Sequence, residues 1–531
     1  MQIVLTIILV AVYGAVVVLG LRYYTHMLQL SSYQFQGYFR FLSSIQSKYG
    51  LHIGAMCTLI ASGFIPAEGG RTVLLILTIL FLVCALFMYL PKPAKKKFVI
   101  TKRIERLFVT YAVLALILGV ISIIIGGKAA AIIWGVYIGL FPLVTALCNL
   151  INKPIEQRIN RYYIDDAKRI LREHEGLRII GVTGSFGKTS VKYYLTTLLS
   201  EGFRVLMTPE SYNTPMGIVR TIRENLKPTH EIFVCEMGAR HLHDIKEITD
   251  IVHPDDGILT SIGHQHLETF HSLENIISTK YELLDAVDEK AKAEGGADAG
   301  KHLKFVNGDN EIIRANMKYK DAISYGFSEG CDFRATDIKV TSAGTAFTVT
   351  SPDGETAEYN TKLVGKHNVE NIVGAIAVAN SFGIPMARLK MAVRRLQSVP
   401  HRLELNKHGN VSILDDAYNS NPNGAKVALE TLALFENNVK ILVTPGMVEL
   451  GAKEDEYNAE FGRQAAAVCD YIILVGEKQT KAIKSGALEA GFDPERLFVK
   501  NSLNEATALM YELDAGREKV ILLENDLPDN Y

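Results

Sequence analysis

The 531-residue sequence lacks a dominant charge: 56 Lys and Arg face 57 Asp and Glu, leaving a formal net of −1. Proteins that bind polyanions need a large basic excess, so nucleic acid is not an expected partner. Disulfide-scaffold and zinc patterns are missing too. The six cysteines (57, 84, 148, 235, 331, 469) are scattered, three lie in apolar segments, and none forms a CxxC pair. The soluble part therefore belongs to a reducing compartment. No internal repeat or low-complexity tract stands out. The first apolar run has neither a basic n-region nor a distinct small-residue cleavage site, so it reads as an anchor and not a removed signal. At this length two to four domains are expected.

Long apolar runs are what the sequence does have. They lie at about 2–20, 51–65, 72–90, 107–125 and 129–150, and a crossing helix needs about 20 residues. Four or five spans are expected, with 51–65 the shortest. No Asp, Glu or Arg sits in the middle of a run, which argues against an ion or proton pathway. The loop "PKPAKKKFVITKRIER" (91–106) carries seven Lys or Arg against one Glu, so it faces the cytoplasm. The tight "GGKA" turn then returns the chain to the same side at "NKPIEQRINR". Everything beyond about residue 150 is expected in the cytoplasm. The expected organisation is a transmembrane helical domain (1–150), a linker helix (151–178), a central domain (179–397) and a C-terminal domain (398–531).

From about 179 short apolar strands alternate with amphipathic helices: "LRIIGVTG", "EIFVCEMG", "DGILTSIG", then "VSILDD", "VKILVTPG", "YIILVG" and "KVILLEND". Strands buried on both faces predict α/β layers with mainly parallel sheets. The stretch 331–363 alternates and contains "SAG" and "PDG" turns, predicting a small antiparallel insert. "LQSVPHRLEL" (396–405) ends a helix and opens a new strand series, as at a boundary between a P-loop-like domain and a Rossmann-like one. The segment "EKAKAEGGADAGKH" (289–302) reads as a surface loop.

"GVTGSFGKTS" (181–190) carries the chemistry. A standard P-loop needs Gly five residues before Gly187, where Val182 stands. The variant still supplies Gly184, Ser185, Gly187, Lys188, Thr189 and Ser190 between a strand and a helix. Backbone N–H groups at such a helix start bind anionic oxygens, Lys188 neutralises the β/γ charge, and the Thr189 hydroxyl can hold Mg²⁺. Glu236 ends the strand "IFVC", where open α/β sheets place ligands. His266 lies beyond another strand end, although Mg²⁺ prefers oxygen to nitrogen. Lys280, on the helix "NIISTKYELL", reads by itself as a solvated side chain.

The loop resembles the TG[ST]xGKT[ST] loop of the Mur ligase family, ATP-dependent amide ligases of cell-wall peptide assembly. The resemblance covers roughly 179–525. It extends to "ESYNTPMGI" (210–218), "CEMGARHLHDI" (235–245), "TSIGHQHLETFHSLENIISTKYELL" (260–284) and "VGKHNVENIVGAIAVA" (364–379). "VPHRLEL", "ILDDAYNSNPNGAKVALETL" and "GMVELG" (446–451) are similar to the MurF branch, which adds D-Ala-D-Ala to the peptide stem. The resemblance implies ATP and two Mg²⁺ as cofactors. It implies metal roles for Thr189, Glu236, His266 and Lys280, the last as a CO₂-derived carbamate. It also implies nucleotide contacts from Asn371, Arg402 and Asp416, with Lys188, Lys280, His266 and Arg402 as the catalytic set.

Three departures bear on the substrate. Only about 28 residues separate the last apolar run from the first α/β strand, so membrane helices replace the family's uridine-nucleotide domain. Gly446 stands where the branch has Asp. The end "LLENDLPDNY" replaces a KGSR-like element, and its Glu524 and Asp526 suggest an amine-bearing or cationic acceptor. The expected function is a membrane-anchored ligase that joins a cell-wall peptide carboxylate, soluble or lipid-linked, to an amino acid or dipeptide amine. A non-catalytic scaffold for cell-wall enzymes predicts decay of the motif residues, yet all are present. A nucleotide-driven transporter is disfavoured by the uncharged spans and the single ATPase copy.

Overall fold

The computed structural model describes residues 2–525 other than 45, 91–96, 296–301, 342, 418, 419, 449 and 515. The "PKPAKK" half of the basic loop, part of the 289–302 segment and Asp526 lie outside the described residues. The chain forms two compact units, Met1–Tyr162 and Tyr163–Leu527.

The first unit is helical. Three helices are long and apolar enough to cross a membrane: Gln2–Leu30, Glu68–Met88 and Lys102–Ile125. A fourth span exists if Gly127–Gly139 and Phe141–Glu173, bent by 82° at their break, count as one. The run at 51–65 falls in a shorter apolar helix, Tyr49–Phe64. Among the described residues, then, three helices, or four with the bent pair, meet that length and composition, against four or five expected from the runs. The segment expected as a linker helix continues a helix that runs from Phe141 to Glu173.

Lipid-type residues such as Val109, Leu116 and Ile123 face outward, while the interior holds tyrosines. Tyr38 donates to the Pro142 carbonyl at 2.8 Å, and the Tyr89 hydroxyl bonds Tyr24 and His52. These hydroxyls tie neighbouring helices together inside the unit. Arg106 clamps Glu156 through two bonds of 2.6 and 2.8 Å.

The second unit holds two sheets. The first has nine strands in the order β2-β3-β1-β4-β5-β6-β7-β8-β9. These are β1 (Arg178–Thr183), β2 (Val205–Met207), β3 (Ile232–Glu236), β4 (Asp256–Leu259), β5 (Lys304–Asn307), β6 (Ile323–Gly326), β7 (Phe333–Thr341), β8 (Gly344–Thr350) and β9 (Thr356–Thr361). β1 to β6 pair in parallel, and β6 pairs in parallel with β7. β7, β8 and β9 are antiparallel. The expected small antiparallel insert is thus a continuation of the main sheet. Its burial alternates because one face is covered and the other wet.

Helices cover both faces of the parallel part. Val191, Leu195, Ile372 and Ile376 bury one side, and Ile218, Ile222, Ile248 and Leu283 the other. The second sheet runs β10-β11-β15-β12-β13-β14, with only β10 antiparallel. Its strands are β10 (Glu404–His408), β11 (Val411–Asp416), β12 (Val439–Thr444), β13 (Tyr471–Val475), β14 (Leu497–Lys500) and β15 (Lys519–Glu524). In both sheets the residues singled out in the sequence gather at the carboxyl ends of strands, the edge where open α/β sheets bind ligands.

Candidate active site

The loop after β1 is tied to the end of β4 by its backbone. Ser185 N–H donates to the Ser261 carbonyl at 2.8 Å, and Phe186 N–H to Ser261 Oγ at 2.8 Å. The Thr260 and Ser261 hydroxyls both donate to the Phe186 carbonyl. These bonds hold the loop taut, and two glycines make that possible. A Cβ on Gly184 would lie 2.1 Å from Thr260 Oγ1. Gly187 has φ +81, and a Cβ there would lie 2.7 Å from Asn371 Oδ1. Asn371 therefore sits directly on the loop.

The helix Lys188–Leu199 starts at Gly187, with no side chain capping its first turn. Open N–H groups at a helix start are what an anion needs. Lys188 folds back so that Nζ donates to the Gly184 and Ser185 carbonyls at 2.6 and 3.1 Å. Burial pulls its ammonium down to about 8, with Glu236 opposing that shift and Arg402 adding to it.

Glu236, at the end of β3, is 1% exposed. Its Oε1 accepts from Thr189 Oγ1 at 3.1 Å and from Asn213 Nδ2 at 3.0 Å, and its Oε2 lies 3.1 Å from Lys192 Nζ. An anionic oxygen beside a hydroxyl at the mouth of the glycine-rich loop suits a hard divalent cation.

Lys280, 3% exposed, makes no hydrogen bond or ion pair among the described residues. Burial first, then repulsion from Lys188, holds its amine well below its ordinary value. His266 has a left-handed backbone, φ +54, and its carbonyl accepts the N–H groups of Thr269 and Phe270. Among the described residues no three His, Cys, Asp or Glu side chains form a group that could hold a metal.

Arg402 comes from the segment before β10 and lines a cavity of about 50 Å³ with Ser185–Ser190, Gln265 and Asn421. Asp416 does not line this cavity. It accepts the Leu403 N–H at 3.1 Å, next to Arg402. Glu524 is fully buried, takes a hydrogen bond from Ser420 and stands beside Asp416. Its acidity is therefore internal. Gly446 contributes its carbonyl, which accepts from Asn525 Nδ2 at 2.6 Å.

The loop, Thr189, Glu236, Asn371 and Arg402 are thus brought together. Gln265, Asn421 and Lys192 were not anticipated, whereas Asn213 belongs to the "ESYNTPMGI" segment. Lys192 lies four residues after Lys188 and so on the same helix face.

Fold and site define a two-lobed α/β protein whose glycine-rich loop meets an arginine from the other lobe. Residues 182–379 match the Mur ligase middle domain, and 401–524 match the glutamate ligase domain of Mur ligases. The chain is 30% identical over 349 residues to the UDP-N-acetylmuramoyl-tripeptide–D-alanyl-D-alanine ligase of Escherichia coli K12, covering 64% of this chain and 74% of that protein. It is 31% identical over 298 residues to the ligase of the same name from Bacillus subtilis 168, covering 56% and 62%. The structure is similar to MurF from Thermotoga maritima in complex with ADP, at TM-score 0.61 and 25% identity over 69% of this chain and 80% of that one. MurF from Acinetobacter baumannii shares the fold at TM-score 0.61 and 24% identity, over 69% and 77%. The chain belongs to the Mur ligase family, whose members are ATP-dependent ligases that form carbon–nitrogen bonds.

Proposed function

We propose that the chain is a membrane-anchored amide ligase of the MurF type that extends a cell-wall peptide precursor. Residues 1–150 are its membrane region, 151–178 a cytoplasmic connection, 179–397 the ATP-binding lobe and 398–531 the closing lobe. The observation that carries the reading is that Lys188, Thr189 and Arg402 line one cavity while Thr189 meets Glu236 at 3.1 Å.

ATP is needed because a carboxylate is anionic and would have to expel oxide. A carboxylate oxygen of the acceptor attacks the γ-phosphorus, the bond to the bridging oxygen breaks, and ADP leaves. The amine nitrogen then attacks the acyl carbon, phosphate departs with the bonding electrons, and the nitrogen gives up a proton. The loop amides and Lys188 hold the phosphate oxygens, and Arg402 adds charge from the closing lobe, so the protein's work is positioning and electrostatic. Ser185 and Ser190 would flank the phosphates and Asn371 would contact the nucleoside, while Asp416 would reach the nucleotide only indirectly, through the segment that carries Arg402. Thr189 and Glu236 would hold Mg²⁺, with His266 and a carbamate formed on Lys280 from CO₂ as further ligands, and the bound ion would supply positive charge to those oxygens.

The acceptor is a muramyl peptide, either UDP-linked or lipid-linked. The apolar helices favour a lipid-linked acid as the second reading. To test both, detergent-solubilised protein is incubated with ATP, Mg²⁺ and UDP-linked or lipid-linked muramyl peptides, with D-Ala-D-Ala or other amines. ADP and product masses are recorded. Joining of one acid–amine pair, lost in Lys188→Ala, is the expected result. No ADP release with any pair overturns the reading, and a phenotype that survives Lys188→Ala points to a scaffold.

A further inference from the structure

We infer that Lys192 is a positioning residue of this centre. Its ammonium holds one oxygen of the Glu236 carboxylate and so aims the other at the Thr189 hydroxyl. The inference rests on the proposed role of Thr189 and Glu236 toward a divalent cation.

Lys192 stands one turn beyond Lys188 on the helix that the phosphate loop opens. Its side chain is 0% exposed and that of Glu236 1%. The ammonium lies 3.1 Å from Oε2 and also donates to the Glu210 carbonyl, in a loop whose backbone turns through φ +40 at that residue. Oε2 has no hydrogen-bond donor besides this ion pair among the described residues. Oε1, by contrast, accepts from both Thr189 and Asn213.

The two oxygens are thus sorted. One is committed to a fixed internal cation, and the other stays bonded to Thr189, a residue that lines the cavity. Two consequences follow from this division. Glu236 offers a single oxygen to a metal, because the second already faces a positive charge that would repel it. Without Lys192 the buried Oε2 has nothing to face, and the carboxylate turns toward whichever donors remain. The Glu210 bond adds a link from the same ammonium to the 208–214 loop, so that loop and carboxylate are set together. A lysine that served only to neutralise a buried acid would affect stability and leave metal binding alone.

The test is ADP binding by calorimetry, with the full-length protein in detergent, in EDTA and in MgCl₂. In the unsubstituted protein Mg²⁺ tightens ADP. In Lys192→Met that gain is expected to fall at least tenfold, while binding in EDTA changes less than twofold. Lys192→Arg, which keeps the charge, is expected to retain most of it. Lys192→Gln replaces the Met variant if the latter does not fold. A gain in Lys192→Met or Lys192→Gln within threefold of the unsubstituted protein overturns this inference alone. No gain in the unsubstituted protein overturns the metal role of Thr189 and Glu236 and this inference with it.

Discussion

Asp416 and Glu524 stand opposite each other in register at the ends of β11 and β15, two carboxyl groups side by side in the interior of one sheet. Burial, opposed by Arg402 and the Leu403 N–H, raises Asp416 from 3.8 to about 7. Burial and the Asp416 charge raise Glu524 well above the carboxylate range. Such a pair holds a proton that the unfolded chain would release. Between pH 3.8 and about 7 the folded state therefore binds more protons than the unfolded state, and stability falls as pH rises through that window. Glu524→Gln keeps an acceptor for Ser420 and removes one charge. Relative to the unsubstituted protein, it is expected to raise the melting temperature at pH 8 by about 3–6 °C and to change it little at pH 4.5. Thermal unfolding at the two pH values checks this. An equal shift at both would show that the carboxyl pair does not titrate in this range.

Gly187 makes a separate prediction. An alanine there must adopt φ +81 and meet Asn371 Oδ1 at 2.7 Å. The left-handed backbone alone costs about 1–2 kcal/mol, and the contact pushes Asn371 off the loop. Gly187→Ala is expected to weaken ADP binding by about tenfold or more. Adding Asn371→Ala relieves the contact but not the backbone strain, so it should restore folding stability in part and ADP binding hardly at all. Calorimetry and thermal unfolding of the single and double variants separate the two effects.

Lys280 couples activity against stability. Its amine is held below the ordinary 10.5 by burial and by Lys188, so the folded state binds fewer protons than the unfolded state up to about pH 10.5. Stability from this group therefore rises with pH through that window. Lys280→Met removes the penalty. The variant is expected to melt about 3–6 °C higher at pH 7.5 and to lose ligase activity, the pattern of a site that trades stability for function. An unaltered or lower melting temperature would mean that the amine is already compensated. Activity retained in Lys280→Met would remove the residue from the reaction.

Much of this architecture was legible in the sequence, for physical reasons that differ between residues. The glycine-rich loop could be read because glycines at 184 and 187 are demanded by backbone geometry and leave a spaced signature. Glu236 could be read because it ends an apolar strand. Lys192 escaped because a single lysine on a helix looks solvated until its partner, 44 residues away in the chain, is placed beside it. The extent of the main sheet escaped as well. Alternation in 331–363 reports one wet face, but cannot report that β7 docks on β6. In the helical unit, hydrophobic length marked the runs. It could not show the 82° bend.

The bond between Arg106 and Glu156 is the least legible feature of that unit, since its partners are fifty residues apart. Glu156 is 7% exposed and receives two guanidinium N–H groups in a forked arrangement. Such a pair contributes little net energy compared with apolar residues of the same shape, yet breaking it strands a buried charge. Arg106→Ala is expected to cost about 3–5 kcal/mol, read as loss of thermal stability of the detergent-solubilised protein. Arg106→Lys should recover only part, because a point charge cannot make the fork. Arg106→Met with Glu156→Leu removes both charges and should lie within about 1–2 kcal/mol of the unsubstituted protein. If the double variant instead melts as low as Arg106→Ala, the two side chains do more than answer each other's charge, and a third group on the same guanidinium must share the load.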